Sequence, residues 1–190
     1  MIELIGFDAG PGAGSGRVFV ETRINEQHLE LVYRWRGWVT EPIRLPNRHE
    51  RAATPQRRDE LWRTTCAEIF VALDAASAGQ PHTGGAYLEF NFSPTGDWAA
   101  YRFDATRVGM RAHVWRGDEA PRISLAGSTD DLTLEVQLPL AALSAGAHRV
   151  AYASVVETST GLSYWALKHP TDRPDFHHPA SFVALLEFAA

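Results

Sequence analysis

Thiols, lysine and long apolar runs are nearly absent from this chain of 190 residues. The sole cysteine, Cys66, rules out an intrachain disulfide and leaves no set of thiolates to hold zinc. Its place within a strand pattern marks it as a small buried side chain rather than a nucleophile. Lys168 is the sole lysine among 18 basic residues, a bias toward arginine that reads as genome composition rather than binding chemistry. No window approaches the roughly 20 consecutive apolar residues of a membrane-spanning helix. The opening MIELIGFDAG has neither the basic start nor the apolar run of a signal peptide, so a cytoplasmic protein is expected. A formal net charge of -5 and a pI near 5.9 provide no basic field, which argues against nucleic acid or an anionic membrane as a partner. Nucleophile and metalloprotease motifs of the GxSxG and HExxH types are missing, and the glycine-rich AGPGAGSG lacks the Lys-Ser/Thr ending of a phosphate loop. A non-enzyme with no cofactor is the expectation; oligomeric state is not legible.

What is present suffices for one globular domain over residues 1–190, since 45% of the chain is hydrophobic and 11% aromatic. Short runs with period-two alternation succeed one another between turn residues: IELIGF, RVFVETRI, HLELVYRWRG, MRAHVWRG, PRISLAG, LTLEVQLP, HRVAYASVVE, LSYWAL and SFVALLEF. With three more between Trp62 and Phe103 they make about a dozen strands, the pattern of an all-β antiparallel sandwich or barrel. Helix is scarce; LPLAALSAG, with Pro139 early and Gly146 past its end, can make one short turn. The arginine-rich stretch from Arg34 to Arg63 reads as a solvated loop.

The segment from Trp62 to Phe103 carries more polar groups than a plain core needs. On the first strand, Ala67, Ile69, Val71 and Leu73 alternate with Cys66, Glu68, Phe70 and Ala72. A four-residue hairpin connection, Pro94-Thr95-Gly96-Asp97, sets Phe92 opposite Ala99 and Glu89 opposite Arg102. In that register Glu68, Glu89, Asn91 and Arg102 converge on one face, with Trp62 at its edge. The arrangement suits ligand binding, or else a cross-strand ion pair on a solvated face contributing under about 1 kcal/mol. An arginine beside Glu89 holds the carboxylate ionised, favouring hydrogen bonding to a ligand over glycosidase-type proton donation.

A second unusual region, YWALKHPTDRPDFHHPASF, gathers Trp165, Lys168, His169, Asp172, Asp175, His177 and His178 in a proline-broken loop that must be anchored by its own side chains. The histidines lack a zinc spacing, so a structural loop is expected; calcium, with its looser oxygen coordination, stays possible.

LWRTTCAEIF, YLEFNFSPTGDWAAYRF, LEVQLPL, SYWALKHP and DFHHPASF together resemble the bacterial DOMON-like proteins related to family 9 carbohydrate-binding modules, over nearly the whole chain. The most specific part is FNFSPTGDWAAYRF. The resemblance implies a β-sandwich of immunoglobulin-like or jelly-roll type, without catalytic activity, that binds a saccharide. It also implies two aromatic platforms, Trp62 and Trp165, clamping the sugar, with Glu68, Arg102 and Asn91 as polar contacts. Such sugar binders are usually appended to secreted enzymes, and their calcium ligands are not evident in this N-terminal region. The alternatives are a protein-interaction or regulatory module using the arginine-rich loop, and a haem-binding electron-transfer domain with Met110, Lys168 or the histidines near residue 177 as axial ligands.

Overall fold

The computed structural model describes residues 1–7, 16–45, 55–74, 81–117 and 119–188. The strands in chain order are β1 (Ile2–Gly6), β2 (Arg17–Ile24), β3 (His28–Arg36), β4 (Cys66–Ala72), β5 (Tyr87–Phe92), β6 (Trp98–Phe103), β7 (Arg111–Ala112), β8 (Arg122–Ser128), β9 (Asp131–Pro139), β10 (Gly146–Thr158), β11 (Gly161–Ala166) and β12 (Ala184–Phe188). Every neighbouring pair of these strands is antiparallel, in the order β7-β6-β5-β4-β10-β11-β1-β2-β3-β9-β8, with β12 paired to β10. β1 belongs to both halves: Ile2–Leu4 pair with β2, and Ile5 and Gly6 pair with β11. The array therefore folds on itself at β1 into two facing layers, an all-β antiparallel sandwich. LPLAALSAG contributes the expected single turn, a 3-10 turn at Leu140–Ala142.

Three strands expected to run longer are cut short. Leu61–Arg63 form a 3-10 turn and β4 starts only at Cys66; β7 keeps two residues of MRAHVWRG; and β12 begins at Ala184 because Pro179–Ser181 turn first.

The first layer, β8-β9-β3-β2 with the start of β1, is half exposed, as alternating sequences require. Leu29, Leu31, Tyr33 and Trp35 of β3 point inward and are fully buried. The outer side of the same layer carries charge, with Arg34 Nη1 3.2 Å from Glu21 Oε2. The second layer differs, because every residue of β4 and β5 is buried. Ile69, Val71, Leu88, Phe90 and Phe92 face the first layer in the main core. On the other side Phe70, Tyr87, Tyr101 and Phe103 form a second apolar cluster with Phe182, and Phe176 packs against it. The second layer is thus covered on both faces, its outer one by the chain that follows β11.

The hairpin joining β5 to β6 departs from expectation by one residue. Ser93 and Asp97 are joined by the Ser93 N–H to Asp97 carbonyl bond, and Gly96 N–H closes the turn onto the Ser93 carbonyl. Three residues, Pro94 to Gly96, therefore make the connection, with Gly96 at φ 93°, where a side chain is strained. Phe92 accordingly pairs with Trp98 rather than Ala99, and Glu89 with Tyr101 rather than Arg102. Since successive side chains alternate, this one-residue shift turns over the whole of β6: Arg102 belongs to the side facing the first layer, away from Glu68 and Glu89.

The arginine-rich stretch is not simply a solvated loop. Arg34 and Arg36 lie in β3. Arg57 donates to the carbonyls of His113 and Ala100 and lies 5.3 Å from the Trp98 ring centroid. Arg48 and Arg51, and residues 8–15 of the glycine-rich stretch, lie outside the described residues.

Trp165 also faces the main core. It aligns with Ser154, itself opposite Ala67, and its ring meets Trp38 edge-on at 5.8 Å. Trp38 packs so closely on Gly16 that a Cβ there would come within 2.1 Å of the indole. Trp165→Ala is expected to cost about 3–5 kcal/mol of stability in urea denaturation; a loss below about 1 kcal/mol would contradict its inward packing.

Candidate functional site

The outer side of the second layer holds a cavity of about 570 Å³. Its floor is built from alternate residues of β4 and β5, which bring Glu68 and Glu89 to the same side of the sheet: Glu68 aligns with Asn91 and Phe70 with Glu89. Trp62, Tyr164 and Phe176 form apolar walls, and Arg63, Arg107 and Met110 stand around them.

Trp62 is positioned by a segment tied to β6. Trp98 N–H donates to the Gln56 carbonyl, Arg58 N–H donates to the Trp98 carbonyl, and Arg58 Nε lies 3.1 Å from the buried Asp97 carboxylate. Tyr101 Oη donates to Asp59 Oδ1 at 2.7 Å, and the Trp62 ring then meets Tyr101 edge-on at 5.8 Å. Among the described residues, two that are not glycine have positive φ: Glu60 at 62°, immediately before the Trp62 turn, and Arg107 at 58°, in the cavity wall. Left-handed backbone at such residues is held against its preference by the surrounding contacts.

His177 closes one side. Its ring lies edge-on to Phe70 and Phe103, at 5.2 and 5.3 Å. The Arg107 N–H points to Tyr87 Oη at 3.3 Å, leaving the Tyr87 hydroxyl to donate to His177 Nδ1 at 2.7 Å. With Nδ1 accepting, the neutral ring carries its proton on Nε2. Burial, helped by the Arg107 charge, pushes the His177 pKa down to about 4, so the ring is neutral near pH 7. Its Nε2 lies 3.8 Å from Glu89 Oε2, beyond direct hydrogen bonding.

The two carboxyl groups are the site's electrostatic feature. Burial, reinforced by the Glu89 charge, holds the Glu68 pKa well above the carboxylate range. Burial likewise raises Glu89 to about 7, opposed by the hydrogen bond from Asn91 Nδ2 to Glu89 Oε1 at 2.7 Å and by Arg107. Carboxyl groups in this state accept or donate hydrogen bonds according to their proton count.

Of the residues expected to bind ligand, Trp62 and Glu68 line this cavity. Asn91 is fully buried beside it and orients Glu89. Arg102 is turned to the opposite side by the hairpin register, and Trp165 by its alignment with Ser154, so Trp62 and Trp165 do not face each other. Tyr164, the preceding residue of β11, points outward in its place. Glu89 was expected on the same face as Glu68 and does line the cavity, His177 was weighed only as a metal or haem ligand, and Tyr164, Phe176 and Arg107 were not picked out as ligand contacts. The alternation of β11 presents Tyr164 and Trp165 to opposite sides, but nothing local says which side is outer. Phe176 and His177 reach the cavity only through the return of the chain after β11.

The proline-broken loop is anchored by its own side chains, as its composition requires. His169 Nε2 bonds the Ile5 carbonyl at 2.8 Å, Asp175 pairs with Arg107 at 2.7 Å, and His178 Nδ1 accepts from Ala180 N–H at 3.1 Å. Among the described residues, no three of His, Cys, Asp and Glu are grouped to hold a metal ion. Among the same residues, no helix is long and apolar enough to cross a membrane.

No protein-family model and no curated protein sequence matches the chain. Solved structures do share its fold. A candidate carbohydrate-binding protein from Bacteroides uniformis superposes with a TM-score of 0.66 at 15% identity, over 98% of this chain and 86% of the other. A family 9 carbohydrate-binding module from Caldicellulosiruptor kristjanssonii, in complex with cellotriose, gives 0.57 at 8% identity over 99% and 83%. The module in complex with glucose gives 0.55 at 8% identity over 98% and 84%. At these identities the likeness is one of fold: the chain has the β-sandwich of family 9 carbohydrate-binding modules.

Because Glu89 titrates higher folded than unfolded, the folded state binds more protons between about pH 4.5 and 7, and this group's contribution to stability falls as pH rises through that window. His177, depressed to about 4, acts in the opposite sense between about pH 4 and 6.5. Glu89→Gln removes the first effect together with the Glu89 contribution to the Glu68 shift. Its stability relative to the parent protein is expected to rise by on the order of 3 kcal/mol from pH 4.5 to 7 in denaturant titrations; a constant difference would mean that Glu89 titrates normally.

Proposed function

We propose that the protein is a non-catalytic carbohydrate-binding module of DOMON-like type, with its ligand in the cavity on the outer side of the second layer. The observation that carries this reading is the composition of that cavity: aromatic walls from Trp62, Tyr164 and Phe176 over a floor of two buried carboxyl groups. A sugar ring has one apolar face, which stacks on an aromatic side chain, and a rim of hydroxyls, which need donors and acceptors fixed in place. Trp62 serves as the stacking platform, with Tyr164 or Phe176 in the role expected of Trp165. Glu68 and Glu89 receive the hydroxyls, and Asn91 orients Glu89. The fold shared with modules solved in complex with glucose and cellotriose supports the same reading.

Titration calorimetry with a panel of mono- and disaccharides tests it. Binding of at least one sugar is expected, and Trp62→Ala is expected to weaken it by about tenfold or more while leaving the fold intact, because the ring is half-buried at the cavity edge. Absence of binding at millimolar concentrations across the panel, or sugar affinity unchanged in Trp62→Ala, would refute the assignment.

A further inference from the structure

Glu68 Oε1 is buried and has no hydrogen-bond partner among the described residues, although Glu68 is only 2% exposed and lines the cavity. Glu89, 4% exposed, shares the floor. A buried acceptor without a donor is costly, and two buried acids side by side keep protons unless a cation joins them.

Among the described residues, the cations near the floor are bonded elsewhere, although the Arg107 charge acts on Glu89 from the wall. Arg63 Nη2 is held by Glu60 Oε1 at 2.8 Å and Arg107 Nη2 by Asp175 Oδ1 at 2.7 Å. His177 is committed through Nδ1 to Tyr87 and is neutral. The other groups around the floor carry no positive charge: the Cys66 thiol on β4, Asn91 on β5, and Tyr101 on β6, whose hydroxyl goes to Asp59. Tyr33, reaching from the first layer, bonds only the Glu68 backbone carbonyl.

We propose that the floor between Glu68 and Glu89 is a subsite for a primary ammonium group, so that the ligand is an amino sugar. An ammonium group brings three donors and one positive charge to a place that offers an unfilled acceptor and, among the described residues, has no cation bonded to it. A hydroxyl would fill one acceptor and leave the two acids opposed. The aromatic walls then take the apolar face of the ring. This inference rests on the saccharide reading of the cavity and narrows it.

Calorimetric titration of the full chain near pH 6 with glucosamine, glucose and N-acetylglucosamine separates the two. Glucosamine is expected to bind at least about tenfold more tightly than either uncharged sugar. Glu68→Gln, which keeps size and shape, is expected to erase that preference, with Glu89→Gln as a second variant should the first fold poorly. Glucose binding as tightly as glucosamine would overturn the ammonium subsite and leave the saccharide reading standing. Failure of all three sugars to bind would overturn both.

Discussion

Burial of the second layer on its outer side is the constraint on which the rest of the structure depends. An antiparallel sheet commonly keeps one face wet, and the outer side of the first layer is partly exposed, with the half-buried pair of Glu21 and Arg34 on it. The second layer is instead closed over by the chain after β11, with Phe182 among Phe70 and Tyr87. Water is thereby kept from Glu68 and Glu89, and desolvation is the largest cause of the upward shift in both carboxyl groups. The covering segment also carries Phe176 and His177, so the device that buries the floor supplies part of the wall.

Positioning follows from the same arrangement. The floor groups sit on central strands paired on both sides, whereas Trp62 and Arg107 come from connecting segments with left-handed backbone at Glu60 and Arg107. The cavity thus has a floor on paired strands, one aromatic wall, Tyr164, on β11, and two, Trp62 and Phe176, on connecting segments. Among the described residues no cation is bonded to the two acids, and Glu68 Oε1 is left without a partner.

Much of the architecture was legible in the sequence. Period-two alternation and turn residues mark each of the twelve strands, because inward and outward side chains must alternate wherever a strand is paired. Glu68 and Trp62 were legible for the same reason, as an acid out of step with an apolar run and an aromatic residue beside it. Arg102 was misplaced by one residue of hairpin length: SPTGD supports either a three- or a four-residue connection, and the choice turns over all of β6. Trp165 and Tyr164 are adjacent aromatics of similar size, and which one faces inward is set by pairing with β10, a contact that no local pattern encodes. His177 joins the site by packing against Phe70 and Phe103, residues distant in sequence.

A crystal structure of the protein soaked with glucose tests the central claim most directly. Density for the sugar is expected on the outer side of the second layer, stacked on Trp62 with a hydroxyl toward Glu68. A sugar bound elsewhere, such as in the smaller pocket of about 260 Å³ lined by Arg23, Glu30 and Gln137 on the first layer, would contradict it.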